Sequence, residues 1–396
     1  MKEVKIVVGA NFGDEGKGHI TDYICSNAKN PIVIRFNSGA QAGHTVVTKD
    51  GRRHVFGHFG AGSFKNIPTF LSQFFVINPL LFIKEYNELR KLGLNPKVYI
   101  DKECIISTPY DMIINQIIET FRENKRHGSC GIGFNETIER NRNPQYAFKI
   151  KDIKNINIKE ISYKIKNEYV YERLKTLGVN NIPSKYKPIL ENEEILNNFI
   201  NDLNYFLELV EISDFNSIFE KYYTGVFEGA QGLMLHKDYK YFPHVTNSNT
   251  GIENPLILLV DKENINIEVI YITRCYLTRH GAGPCPNEVY TTPYKNIIDL
   301  TNIPNEFQGT LRFGLLDIDL LKENINFDYN KGIKFNIEKS LAITCLDVIE
   351  KKAKYIKNNT LVTKNKEAFI EDIIKTIKPY KCYLSYGEKE ENIEIY

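Results

Sequence analysis

Residues 4–20, VKIVVGANFGDEGKGHI, constrain this chain more than any other stretch, because they set a strand, a glycine-punctuated loop and a helix start within one short run. Residues 5–8 are apolar or β-branched apart from Lys5, and Gly9 ends the run, which predicts an interior strand of a mostly parallel sheet. Residues 20–25 predict a helix after the loop. Gly13, Gly16 and Gly18 let the backbone approach an anion, the opening N–H groups of the helix supply unpaired donors, and Lys17 adds a point charge. Such a junction is built to hold phosphate. It is not a Walker loop, since Asn11 stands where GxxxxGK needs its first glycine and Gly18 where Ser or Thr should follow Lys17. Asp14 and Glu15 would repel phosphate unless a metal or a proton-transfer task accounts for them. The bland alternative is a strand-turn-helix with solvated charges.

A chain of 396 residues is long enough for a large core, and its 42% hydrophobic and 25% charged content is that of an ordinary globular protein. The net charge of +2 gives no global case for nucleic-acid or membrane attraction, so the expected partners are small molecules. Seven cysteines form no CxxC pair and no Cys/His ligand spacing, which argues against zinc and a disulfide framework and for a reducing cytoplasm. No run approaches the ~18 apolar residues of a membrane span, and the start of the chain reads directly into a strand rather than a signal peptide.

Residues 30–36 predict a second strand, followed by the turn-rich Asn37-Ser38-Gly39-Ala40-Gln41-Ala42-Gly43-His44-Thr45. Ligand loops gather at the carboxyl ends of strands in open α/β sheets, so His44 is expected near Asp14. Strands follow within 52–82, a helix over 82–92, a strand at 98–100 and a helix over 111–124. The segment His127-Gly128-Ser129-Cys130-Gly131-Ile132-Gly133, with Arg140 and Arg142 beyond it, suits a phosphate lid or a flexible surface loop. Residues 151–221, rich in Lys, Asn, Glu and Ile with a helix around 193–211, read as scaffold. Strands at 226–232 and 269–276 lead into polar, glycine-rich turns, as does the run 243–250. A strand at 341–344 delivers Asp347, whose carboxylate either accepts two N–H bonds from a guanine edge or caps the next helix. Strands alternate with helices without repeat or linker, so residues 1–396 read as one elaborated α/β unit.

Taken together, GDEGKG at 13–18, AGHT at 42–45, FEGAQG at 227–232, the P-x-V-T-x-S-N-T run at 243–250, TRHGAGPCPNE at 278–288 and CLDV at 345–348 resemble the adenylosuccinate synthetase family. The resemblance implies a large, mostly parallel central sheet with flanking helices, similar to a P-loop NTPase, in a homodimer. It implies GTP- and Mg²⁺-dependent joining of aspartate to the 6-position of a purine nucleoside monophosphate through a 6-phosphoryl intermediate. On that pattern Asp14 is the base, His44 the acid, and Gln231 contacts the purine 6-substituent. Asp14 and the Gly43 carbonyl hold Mg²⁺. The GTP set is Gly13, Glu15, Gly16, Lys17, Gly18, Gly43, His44, Thr45, Arg312 and Asp347. The monophosphate and aspartate set is Asp14, Gln41, Ser129, Arg142, Gln231, Thr246, Thr310 and Arg312. Arg140 or Arg142 stands where the family sends an arginine into the neighbouring subunit's site.

The chain departs from that pattern at several points. Gln41 replaces the usual asparagine, His127-Gly128-Ser129-Cys130 replaces Thr-Thr-Gly-Arg, and Cys345 replaces a lysine. The arginine-rich aspartate loop becomes Gln308-Gly309-Thr310-Leu311-Arg312, which leaves one guanidinium for a dicarboxylate or ribose. The alternatives to inosinate ligation are the same chemistry on a guanylate or deoxyguanylate, and a non-catalytic nucleotide-binding regulator.

Overall fold

A computed structural model describes residues 2–396 except 124–125, 155, 300–301 and 303–308. The first strand, β1 (Lys2–Gly9), lies at the middle of a ten-stranded sheet, and Val4, Ile6, Val7 and Val8 are fully buried. Its neighbours are β6 (Thr224–Gly232) on one side and β7 (Ile265–Arg274) on the other. Outward from β6 follow β2 (Pro31–Arg35), β3 (Thr69–Leu71), β4 (Val98–Ile100) and β5 (Glu211–Ile212). Outward from β7 follow β8 (Ile337–Thr344), β9 (Cys382–Ser385) and β10 (Ile393–Ile395). Every pairing is parallel except β9 with β10. A sheet of this kind is buried on both faces, which is why its central strands are continuous apolar runs.

The first helix, α1 (Lys17–Ser26), begins three residues before the predicted start, at a Gly16 held in the left-handed region with φ 88°. Helix α2 (Pro79–Lys91) also starts earlier than its apolar spacing suggested, because Asn78 caps it and Pro79 occupies its first turn. Helix α3 (Pro109–Arg122) opens with a capping box between Thr108 and Asp111, and Asn124 lies outside the described residues. The strand predicted over 269–276 divides at Cys275, since residues Tyr276–Arg279 leave the central sheet to pair antiparallel with Arg312–Asp317 in a second sheet. The region 151–221 is largely helical, and part of it packs on α3 around Tyr110, Ile114, Tyr146 and Leu196. Among the described residues no helix is long and apolar enough to cross a membrane.

Candidate active site

The carboxyl ends of β1, β6, β7 and β8 bring their loops to the start of α1, and close packing fixes them there. A Cβ on Gly13 would stand 3.0 Å from Gln231 Cα, one on Gly18 2.8 Å from His44 Cβ, and one on Gly9 2.4 Å from Glu15 Oε2. His44, expected near Asp14, packs against the loop that carries Asp14, at Gly18.

Glu15 braces that loop from within. Its Oε1 accepts from the Asn11 backbone N–H at 2.8 Å and the Asn11 side-chain amide at 2.9 Å, and its Oε2 accepts from Gly13 N–H at 3.2 Å. Burial pushes its pKa up to about 7 against the charge of Lys17 and these donors. The Lys17 ammonium is buried beside Gly9, and burial lowers its pKa against the pull of Glu15, Asp14 and Glu228.

Asp14 adopts a left-handed backbone with φ 54°, and its Oδ2 lies 2.7 Å from His280 Nε2. Burial works to raise its pKa, but the hydrogen bond and charge of His280, then Arg274 and Lys17, hold it down to about 2. His44 Nδ1 stands 2.7 Å from Glu228 Oε1, and the same carboxylate group stands 3.6 Å from Arg35 Nη1, with all three side chains buried. Burial lowers the His44 pKa, and the Glu228 charge opposes that shift. With Glu228 at Nδ1, the imidazole is oriented to present Nε2.

Two glutamines beside this pair have orphaned polar atoms. Gln231, itself at φ 64°, has a buried Oε1 without a hydrogen-bond partner among the described residues, and Gln41 has both amide atoms in that state. A buried amide left unmatched costs about 1–3 kcal/mol, which a ligand would recover.

The remaining expected positions lie around the rim. Gly43 is exposed, and Thr45 follows His44 in the short strand His44–Val47. Ser129 Oγ exchanges hydrogen bonds with the Asn115 amide at 3.0 and 3.1 Å, while a Cβ on Gly128 would meet Gly281 Cα at 2.6 Å, so this segment lies on the 280–284 turn. Thr246 donates its N–H to Leu235 O at 2.9 Å, and its neighbour Asn247 accepts from Arg142 Nη2 at 3.4 Å. Asp347 is exposed inside a 3-10 turn, Leu346–Val348, rather than ahead of it, and the next α-helix, Lys366–Ile377, is capped by Asn365, so Asp347 caps neither.

Two arginines behave differently from their sequence reading. Arg140 is fully buried within its own chain, bonded to both Asp111 oxygens at 2.9 and 3.0 Å, to Tyr146 O at 2.7 Å and to Ile106 O at 2.6 Å. Four of its five N–H donors are used within the chain and the side chain is fully buried, so it is not placed to reach another subunit. Arg142 is exposed and, among the described residues, carries Glu139 and Asn247. Arg312 is already gripped by Glu288 Oε1 at 2.7 Å and by the carbonyls of Gly281 and Gly283 at 3.1 and 2.8 Å, while Thr310 is exposed. Gln308 lies outside the described residues.

Sequence reasoning missed His280, Glu228 and Arg35. For the last two a signal existed, namely a charge of each sign inside otherwise apolar sheet strands. His280 was legible only as part of a glycine-rich turn.

The donor set suits a hard cation that retains its waters. Asp14 supplies a carboxylate at 31% exposure and Gly43 an exposed backbone. Among the described residues no three His, Cys, Asp or Glu cluster into a complete cage, so an ion here would take its other ligands from phosphate and water, as Mg²⁺ does.

The chain matches the family model for adenylosuccinate synthetase over residues 6–387. The adenylosuccinate synthetase of Picrophilus torridus is 31% identical over 355 residues, covering 88% of this chain and 78% of the relative. That of Clostridium botulinum is 28% identical over 408 residues, covering 99% and 90%. In fold the chain is similar to the fully ligated adenylosuccinate synthetase of Plasmodium falciparum, with a TM-score of 0.75 at 21% identity, covering 98% of this chain and 99% of that one. The cyanophage S-2L succinoaminodeoxyadenylate synthetase, bound to dGMP and dATP, shares the fold at a TM-score of 0.60 and 14% identity, covering 100% and 95%. With the family's model matched along nearly its whole length, the chain belongs to the adenylosuccinate synthetase family.

Proposed function

We infer that this chain is a GTP-dependent ligase that joins L-aspartate to the 6-position of IMP, the family's step toward AMP in purine biosynthesis. The observation that carries the reading is one glycine-rich loop that bears Asp14, packs on His44 at Gly18 and meets Gln231 at Gly13, with the Gln231 Oε1 buried and without a partner among the described residues.

The 6-oxo group of a purine is a poor leaving group, so it first becomes a phosphate ester. Asp14 takes the ring-nitrogen proton while His44, oriented by Glu228, donates toward the developing O6 anion. A carboxylate held at about 2 is a weak base by itself, so the proton leaves only as O6 is being phosphorylated. Gln231 holds the 6-substituent. The amides of Gly16 and Gly18 with Lys17 cradle the transferring phosphoryl group, while Gly13, whose N–H goes to Glu15, lets the backbone come close. Mg²⁺, held by Asp14 and the Gly43 carbonyl, would neutralise charge on the phosphates. The aspartate amine then displaces the phosphate, with Thr310 and Arg312 on the dicarboxylate side.

Asp347 reads guanine, which favours GTP as donor. Glu15, Thr45, Gln41, Ser129 and Thr246 complete the nucleotide and monophosphate sites. The unit is residues 1–396 acting in the cytoplasm as a homodimer, with Arg142 reaching the neighbouring monophosphate.

The test is incubation of purified protein with GTP, Mg²⁺ and aspartate, offering inosinate and deoxyguanylate separately and following succinyl-nucleotide by mass spectrometry. Product from inosinate supports the reading, and product from deoxyguanylate alone replaces it with the shifted-substrate alternative. GTP binding without product in either tube replaces it with a nucleotide-binding regulator.

A further inference from the structure

We propose that His280 is a positioning residue for the reaction: its Nε2–H holds one oxygen of Asp14 and leaves the other to take the substrate proton. The proposal rests on Asp14 being the base.

Among the described residues His280 is the one side chain within hydrogen-bond distance of the Asp14 carboxylate. The phosphate loop provides no substitute, because its Asn11 and Gly13 N–H groups are taken by Glu15. Asp14 is also partly exposed on a left-handed backbone, so without His280 its carboxylate is free to rotate toward water.

The hydrogen-bond polarity behind His280 is settled. Nε2 faces two acceptors, Asp14 Oδ2 at 2.7 Å and Asn302 Oδ1 at 3.0 Å, so it carries the hydrogen. The Asn302 amide cannot be turned round, since its Nδ2 donates to Asp299 Oδ2 at 2.7 Å while its backbone N–H donates to Asp299 Oδ1 at 2.9 Å. The single Nε2–H is therefore shared between Asp14 Oδ2, the shorter contact, and Asn302 Oδ1, and Asn302 in turn donates to Asp299.

The mount is rigid as well. Arg279, next in sequence, is 2% exposed and donates to the carbonyls of His244, Ala282 and Pro284 at 2.8, 2.9 and 2.9 Å. Its guanidinium lies 4.5 Å from the ring centre of Phe12, inside the phosphate loop itself. The turn that carries His280 and the loop that carries Asp14 are therefore clamped together, and the 2.7 Å bond is set by packing on both sides.

The experiment follows positional isotope exchange in β,γ-bridge-¹⁸O GTP with inosinate and Mg²⁺ but no aspartate, which reports formation of the 6-phosphoryl intermediate alone. His280→Leu should slow exchange and kcat about 10- to 100-fold while changing the KM for GTP and inosinate less than about 3-fold. His280→Gln, which returns an N–H donor at comparable reach, should recover most of the loss. In an Asp14→Asn background His280→Leu should cost nothing further. Normal exchange in His280→Leu, no recovery with Gln, or the same loss in the Asp14→Asn background would each overturn the proposal. Normal exchange in Asp14→Asn itself would overturn the base assignment and the proposal with it, so the two failures are told apart.

Discussion

Arg140→Met tests whether Arg140 is a structural arginine, with the role in a neighbouring active site proposed for Arg142 alone. In the folded chain the Arg140 guanidinium is at 0% exposure and joins Asp111 on α3 to the carbonyls of Ile106 and Tyr146. Asp111 keeps only the Thr108 backbone N–H at 2.7 Å and the Thr108 hydroxyl at 2.9 Å once the arginine is gone. Removing one partner of a buried ion pair costs about 3–5 kcal/mol, because the other charge stays buried without its counter-ion. Unfolding entropy near 2.1 cal/mol/K per residue over 396 residues gives roughly 830 cal/mol/K, so the melting temperature should fall by about 4–6 °C. Asp111→Asn combined with Arg140→Met should be less destabilising than the sum of the two singles, because the orphaned charge has gone. The assay is thermal and guanidinium unfolding beside steady-state kinetics in the folded range, with Arg142→Ala as the comparison. Arg142 is exposed and, among the described residues, paired with Glu139 and Asn247, so its loss should leave the melting temperature within about 1 °C and raise the KM for the monophosphate. An Arg140→Met protein with unchanged melting temperature and a selective loss of monophosphate affinity would refute this assignment.

Other residues make comparable statements. Glu288→Gln should lower the KM for aspartate by up to about 5-fold, since the half-exposed ion pair that now holds Arg312 is weakened, and Arg312→Ala should raise it; unchanged values in both would remove Arg312 from the aspartate site. Asp347→Asn should raise the KM for GTP about 10- to 100-fold by replacing an acceptor with a donor against the guanine edge, and an unchanged GTP-to-ATP ratio would assign base reading elsewhere. Burial alone would raise Glu85, but His54, His58 and the N–H groups of Gly57 and His58 hold it at about 2 against an ordinary 4.5. Its contribution is therefore fully present above pH 4.5 and lost as pH falls toward 2, a change on the order of 3 kcal/mol. Glu85→Gln should flatten the acid limb of a urea-denaturation series, and an unaltered limb would show that this network does not set acid stability.

What the sequence made legible follows from which forces act locally. The phosphate junction was readable because strand burial, left-handed glycines and a helix N-terminus are all written within residues 4–20, and each constrains the backbone by itself. The meeting of His44 with that loop was readable one level up, because parallel sheets deliver their loops to one edge, and Gly18 against His44 is the contact that realises it. Element ends were less legible where a side chain decided them. Asn78 and Thr108 start helices ahead of the apolar spacing, and the break at Cys275 reflects pairing with a strand some forty residues later in the chain. The roles of charged groups were least legible, because a charge has no fixed meaning until its surroundings are known. Arg140 and Arg142 stand two residues apart with the same side chain, yet one is turned inward onto Asp111 and the other outward to solvent. Arg312 was read as a free guanidinium and is bound to Glu288, while His280 was legible only as part of a glycine-rich turn and meets Asp14 across 266 positions of sequence. The motifs therefore named loops that the fold brings together, and tertiary pairing decides which of their charges are already engaged within the chain.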